Sequence, residues 1–505
     1  MPALALLSAR DPHAALAWRD GQPVSAAQFL GDVARQADLL PAVGPVVNLC
    51  SDRLRFAVGL GAALVRGHTS LLPPDALAHT LTALQSAYPR LVVLSDDAAP
   101  PGGLAHLVAP AWLLAPRSQP TPVGGSPCAE RCVPRLDAAL AAVCLLTSGS
   151  TGAPVPHTKT WGALVANIDA AAERLAAFLG RPNLHGLTLV ATVPAQHSYG
   201  LESSVLLAWL GGAAFEASRP YYPGDIVRAL ASVPRPRALV TTPFHLKTLL
   251  QSGLALPPTD LVLCATAPLS PQLALRAERA FGGPLVEIYG CTEAGQVATR
   301  RTAQGAHWRT LGQLRVRQQL AVAGSLSGAT TAAADAGAIE DAVASHDAAA
   351  THGGPGDRFI VEGGHVLEPT VLADVLELQD AQRFSLLGRA GDLVHVAGRR
   401  TSLAYLDHHL NSIEGVLDGA FWMPDEVADG VVRPVAFVVA PTLGVEQVVR
   451  ELRSRVEAVF VPRRVLHVAA LPRGATGKLA AGAWQQFVAA ELLRFERERP
   501  KVCGA

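Results

Sequence analysis

Short apolar runs rich in β-branched residues alternate with segments of helical spacing through the middle of the chain. Leu187 to Val193, Ala238 to Thr242, Leu261 to Thr266 and Leu285 to Tyr289 each read as a buried strand bounded by Pro or Gly. From Gly162 to Leu179 the residues Leu164, Val165, Ile168, Ala172, Leu175, Phe178 and Leu179 recur at helical spacing, and Gly180 supplies a stop. Ser270 with Pro271 reads as an N-cap and first helical position, and Gly282 and Gly283 follow Phe281. Strand, helix, strand in this rhythm predicts an α/β fold of mostly parallel sheets flanked by helices. Ala321 to Gly356, rich in Ala, Gly, Ser and Thr, predicts a poorly packed surface excursion. Gly388-Arg-Ala-Gly-Asp392 then interrupts the pattern. Beyond it the chain has its own elements: a helix from Val445 to Phe460, a strand from Val465 to Ala469 and a last helix from Leu479 to about Arg497. The division is a large N-terminal body, residues 1–387, and a small α+β C-terminal unit, residues 392–505, joined at 388–391.

Composition narrows the function classes. The chain has 505 residues, half of them hydrophobic and 17% charged, which excludes a disordered protein and a single small module. Its 42 basic and 42 acidic residues cancel, so the basic surface that phosphate-backbone binding needs is missing and nucleic acid is not expected as a partner. The longest apolar stretches, such as Ala138 to Leu146 and Val205 to Phe215, are too short or broken by Gly for the roughly 18–20 residues of a spanning helix. The N-terminus lacks the basic and apolar regions of a signal peptide, so a cytoplasmic protein is expected. Seven scattered cysteines do not form a disulfide framework, and Cys128 with Cys132 lacks the second pair of a structural zinc site.

The chemistry concentrates in four short stretches. The apolar run at Leu145 ends abruptly in Thr147, Ser148, Gly149, Ser150, Thr151 and Gly152, placing hydroxyls and unhindered backbone N–H groups just past a strand, where they can wrap an oligophosphate. It is not a Walker loop, because Pro154 follows and no Gly-Lys-Ser/Thr does. Tyr289-Gly-Cys-Thr-Glu293 follows a strand, Gly388-Arg-Ala-Gly-Asp392 precedes the last unit, and Pro472-Arg-Gly-Ala-Thr-Gly-Lys478 lies near the C-terminus.

In this order the four stretches resemble the adenylate-forming superfamily of acyl-CoA synthetases, peptide-synthetase adenylation domains and luciferases, from about Thr147 to Leu479. The resemblance implies ATP and Mg²⁺ as cofactors and a mobile C-terminal lid. It makes Thr147 to Gly152 the loop that closes over the β- and γ-phosphates. Thr292 would lie beside the α-phosphate and Glu293 would hold Mg²⁺. Tyr289 would lie against the adenine, with the backbone of Ala265, Thr266 and Ala267 along another side. Asp374 would accept the ribose hydroxyls, Arg389 would contact the ribose, and Lys478 would reach the acid's carboxylate and the α-phosphate. His197 would stand at the entrance of the acid pocket, lined by the segment Ser198 to Ser203, including Ser198, Tyr199 and Gly200, and by the surroundings of Cys264 and Cys291. Cys291 has no covalent role in this scheme.

Three positions depart from the superfamily pattern. A loop lysine is replaced by Val155, and the next amine is Lys159; the hinge position is Gly391; and His395 stands where many members have a lysine. Glycine permits the backbone rotation of a domain swing. Pro156-His-Thr-Lys-Thr-Trp161 is similar to the ligases of aryl polyene and xanthomonadin pigment pathways, which load an acid onto the phosphopantetheine of an acyl carrier protein. The acid this implies is a hydroxybenzoate such as 3-hydroxybenzoate. An acyl- or aryl-CoA ligase, fatty acids included, and a non-catalytic adenylate-binding or carrier-docking subunit remain the alternatives.

Overall fold

The computed structural model describes residues 2–73, 75–96, 106–108, 133–148, 154–319, 351–352, 358–389, 393–396, 399–424, 433–474 and 479–498. Among these the largest sheet has twelve strands and a second has six. The centre of the larger one is parallel: Thr188–Ala191, Arg237–Thr241, Leu261–Cys264 and Leu285–Cys291 lie side by side in that order. Helices Pro243–Gln251 and Pro271–Phe281 supply crossovers, as parallel neighbours require. Beyond Leu285–Cys291 the direction reverses. Gly295–Arg300, Trp308–Thr310, Arg383–Arg389 and Asp374–Leu378 continue the sheet with antiparallel pairing, the first joined by a turn too short for a crossover.

Local chemistry explains the boundaries. Thr160 caps helix Trp161–Phe178, its Oγ1 accepting from the Ala163 N–H at 3.3 Å, and Gly180 takes φ +64° just past the end. Trp161, Leu164, Ile168 and Leu175 bury one face of this helix in the main core, each contributing about 2 kcal/mol by area removed from water. Ser270 Oγ accepts from the Leu273 N–H at 3.1 Å, Pro271 opens the helix and Gly282 ends it at φ +81°. Leu261–Cys264 stops two residues before the expected end because Thr266 adopts φ +83°, outside the extended region.

The C-terminal elements build a separate three-stranded sheet of Asp418–Trp422, Val435–Val439 and Arg464–His467. Its pleat feeds two apolar layers. Ala436 and Val438 pack with helices Leu403–Asn411 and Val445–Arg453, whereas Val435 and Phe437 pack with Trp484 and Phe487 of helix Ala481–Glu498. The helix expected from Val445 to Phe460 is broken. Its first part stops at Arg453, where Ser454 Oγ bonds back to the Glu451 carbonyl at 2.8 Å, and a 3₁₀ turn, Ala458–Phe460, follows. The excursion expected at 321–356 lies outside the described residues apart from Thr351–His352, as does the joint at Gly391.

Candidate active site

The ends of the six-stranded and twelve-stranded sheets bring the separated stretches together. Strand Ala141–Ser148 delivers Thr147 and Ser148 at its C-terminal end, and Pro154–Thr160 returns antiparallel with Val155 opposite Thr147. Gly149, Ser150, Thr151 and Gly152 lie outside the described residues. His157 sits diagonally across the ladder from Thr147, with Nε2 at 3.1 Å from Thr147 Oγ1 and 3.7 Å from Glu293 Oε1. The end of strand Ala141–Ser148 and the Thr292–Glu293 turn are therefore linked through one imidazole.

Tyr289, Asp374 and Arg389 meet on the other side of that turn. The Tyr289 hydroxyl donates to Asp374 Oδ2 at 2.7 Å, and Asp374 pairs in register with Arg389 across two antiparallel strands. Only 8% of Tyr289 is exposed, because its ring packs between Trp308 and Phe384 with centroids 5.7 Å from each. Ala265, Thr266 and Ala267 follow the neighbouring strand. Since Cys264 pairs with Glu287, Thr266 stands level with Tyr289. A positive φ on a β-branched residue is a strained conformation, and the Thr266 hydroxyl is buried with no hydrogen-bond partner among the described residues.

The segment expected to line the acid pocket turns out to be helical. After Ser198–Gly200 the chain forms a π-helical stretch, Leu201–Leu206, a geometry that recurs at functional sites. A Cβ on Gly200 would fall 1.8 Å from the Pro194 carbonyl oxygen, so this turn requires glycine. Buried Arg53 holds the approach, donating to the Ala191 and Val193 carbonyls at 2.9 and 3.0 Å and to Ser204 Oγ at 2.7 Å. Burial lowers its pKa to about 10, still charged at neutral pH. The Tyr199 hydroxyl donates to the Thr241 carbonyl at 3.2 Å, and His197 stands at the helix start. Cys264 departs from expectation. It is wholly buried in the apolar layer between the sheet and the helices Pro271–Phe281 and Pro243–Gln251, so its thiol is part of the core. Burial also raises the Cys291 pKa to about 12, which keeps it a thiol at neutral pH and unsuited to nucleophilic attack.

The profile of the AMP-binding enzyme family matches residues 56–339. The chain belongs to the AMP-binding enzyme family. A 4-coumarate–CoA ligase of Rhodobacter capsulatus is 31% identical over 165 residues, 33% of this chain and 41% of that relative. The match thus spans less than half of the curated relative. ATP-bound MatB from Rhodopseudomonas palustris superposes with a TM-score of 0.69 at 17% identity, covering 95% of this chain and 97% of its own. The O-succinylbenzoate coenzyme A synthetase of Bacillus subtilis, in complex with ATP and magnesium ion, gives 0.70 at 15% identity over 94% and 97%. These likenesses extend over nearly the whole chain and show a shared fold.

Within this family member several polar residues near the turn are ones the sequence did not single out. Glu202 is a carboxylate inside this buried helical stretch, 1% exposed, accepting from Ser198 Oγ at 3.0 Å. Burial raises its pKa, and the Ser198 hydroxyl, Lys159, Asn167 and the Gln296 N–H act in the opposite direction. His157 and His365 also converge here. The only signal in the sequence was a lone acid in a short segment between apolar residues, Leu201-Glu-Ser-Ser-Val205. Among the described residues no group of three His, Cys, Asp or Glu could hold a metal, and no helix is long and apolar enough to cross a membrane. Glu293, 45% exposed, offers a hard oxygen donor of the kind Mg²⁺ takes together with phosphate oxygens and water, so the residue fits that ion. Lys478 lies outside the described residues.

Proposed function

We propose that the chain is an ATP-dependent, AMP-forming acid–thiol ligase. The observation that carries this reading is the convergence of Thr147, Glu293, Tyr289, Asp374 and the Arg389 backbone from three distant stretches onto one rim of the sheets. A carboxylate is ionised at neutral pH and needs no general base, so the task of the site is to align it and to offset charge. The carboxylate oxygen attacks the α-phosphorus in line and pyrophosphate leaves, giving an acyl-adenylate. Thr292 lies beside the α-phosphate, Asp374 and Arg389 hold the ribose, and Lys478 brings an ammonium to the developing charge. Glu293 would hold Mg²⁺, which would supply charge neutralisation on the phosphates. A pantetheine thiol then loses its proton, its sulfur attacks the acyl carbon and AMP departs.

The acid is an aromatic one, with a hydroxybenzoate such as 3-hydroxybenzoate the best fit, and the acceptor is an acyl carrier protein of a pigment or polyene pathway. The polar groups of the acid-side helix, His197, Ser198, Tyr199 and Glu202, support a substrate that bears a hydrogen-bonding substituent. Residues 1–387 act as the body, 388–391 as the hinge and 392–505 as the lid. Arg463 and Arg464, both exposed on the lid, are the basic groups for an acidic carrier, whereas Arg473 is neutralised by Asp418 at 2.7 Å. Acid-dependent ATP–pyrophosphate exchange tests the ligase. ATP binding without AMP formation would instead favour a non-catalytic subunit, and comparing CoA with holo carrier protein decides the acceptor.

A further inference from the structure

Strand Pro154–Thr160 presents Val155, His157 and Lys159 at alternate positions. Val155 pairs with Thr147 at the loop, but Lys159 pairs with Val143, roughly 13 Å further along the strand at about 3.3 Å per residue. Lys159 therefore does not take the place of the lysine missing at Val155. Its Nζ donates instead to the Glu293 carbonyl.

Other side chains fasten the same turn. His365 Nε2 lies 3.1 Å from the Ala294 carbonyl oxygen. Gly295, at φ +79°, sits so close over Asn167 that a Cβ would come within 2.8 Å of its Nδ2. Gln296 Nε2 donates to Ser203 Oγ at 3.1 Å, and its backbone N–H reaches the Glu202 carboxylate. Glu202 is the centre of this set, and Lys159 is the nearby cation whose charge offsets it. A buried carboxylate without such a counterpart is costly.

We propose that Lys159 and Glu202 are positioning residues that fix the Thr292–Glu293 turn against the acid-side helix, coupling the acid pocket to the nucleotide end of the site. Lys159 holds the turn through the Glu293 carbonyl rather than through its carboxylate, and Glu202, bonded to Ser198 of the helix, lies against Gly295 of the same turn. The inference rests on the ligase reading, which assigns Thr292 and Glu293 to the nucleotide and its ion.

The test uses the full chain with Lys159→Met, Lys159→Arg, Glu202→Gln and the Lys159→Met/Glu202→Gln double variant, measuring thermal midpoint and the Mg²⁺ dependence of ATP binding by titration calorimetry. Lys159→Met should raise the half-saturating Mg²⁺ about tenfold, the scale of one charge-assisted hydrogen bond. Lys159→Arg should recover part of it. The double variant, which leaves no lone buried charge, should regain the midpoint but keep the Mg²⁺ defect. If the double variant regains wild-type Mg²⁺ dependence together with its midpoint, the pair is only structural and the proposal is overturned. Loss of acid-dependent exchange in the wild type would instead sink the ligase reading on which it rests.

Discussion

Two half-buried lysines sit in opposite situations. Burial lowers the pKa of each, that of Lys247 to about 8. Lys159 donates to a carbonyl and faces Glu202, whereas Lys247 Nζ is buried with no hydrogen-bond partner among the described residues. Lys247 belongs to helix Pro243–Gln251, and the charges acting on it include Asp418 and Arg473 of the C-terminal sheet region. Lys159 ties a strand of the six-stranded sheet to the Thr292–Glu293 turn of the twelve-stranded one, where its ammonium has an acceptor. Lys247 keeps its ammonium buried without one, with only the charge of Asp418 acting in its favour. The first arrangement holds a turn in place, and the second is a cost the fold carries.

Replacing the satisfied lysine should have the largest effect. Lys159→Met removes the bond to the Glu293 carbonyl and the cation whose charge offsets buried Glu202, which keeps its bonds from Ser198, Asn167 and Gln296, and should cost about 2–3 kcal/mol in denaturant unfolding, most of it regained in the double variant. Gly200→Ala pushes a methyl into the Pro194 carbonyl and should lose on the order of 1–3 kcal/mol, with the KM for the acid rising more than that for ATP. The unsatisfied lysine should respond in the opposite direction, with Lys247→Met stabilising the chain at pH 7 by on the order of 2 kcal/mol. Its lowered pKa means the folded state binds fewer protons than the unfolded chain above about pH 8. The penalty is therefore full below pH 8 and is relieved as pH rises from about 8 towards the ordinary lysine value of 10.5; that rise in stability should vanish in the variant. The smallest change is expected from Tyr289→Phe, which removes one bond to Asp374, costs about 1 kcal/mol in stability and raises the KM for ATP severalfold.

The alternation of strands and helices was legible because parallel strands in this fold are short, apolar and punctuated by Gly and Pro. Helix Pro271–Phe281 shows this best, with both caps written in its sequence. The break after Arg453 was not legible, because Ser454 ends the helix by a local hydrogen bond that apolar spacing does not register. The antiparallel flank was also hidden, since pairing depends on which strand the Thr292–Glu293 turn returns beside. Thr147, Glu293, Tyr289 and Asp374, named from ordered stretches of the sequence, are brought together by the fold. The burial of Cys264 in the core was not legible, because position along a strand says nothing about which face of the sheet a side chain takes. Glu202 and Lys159 gain their meaning only from contacts between residues far apart in the chain.

Acid-dependent ATP–pyrophosphate exchange across benzoates, cinnamates and fatty acids tests the central claim most directly, with wild type beside Lys478→Ala and Glu293→Ala. The account predicts exchange that requires both an acid and Mg²⁺, is strongest with a hydroxybenzoate, and falls by orders of magnitude in either variant. A chain that exchanges with no acid in the panel, or that exchanges equally well after both substitutions, would contradict it.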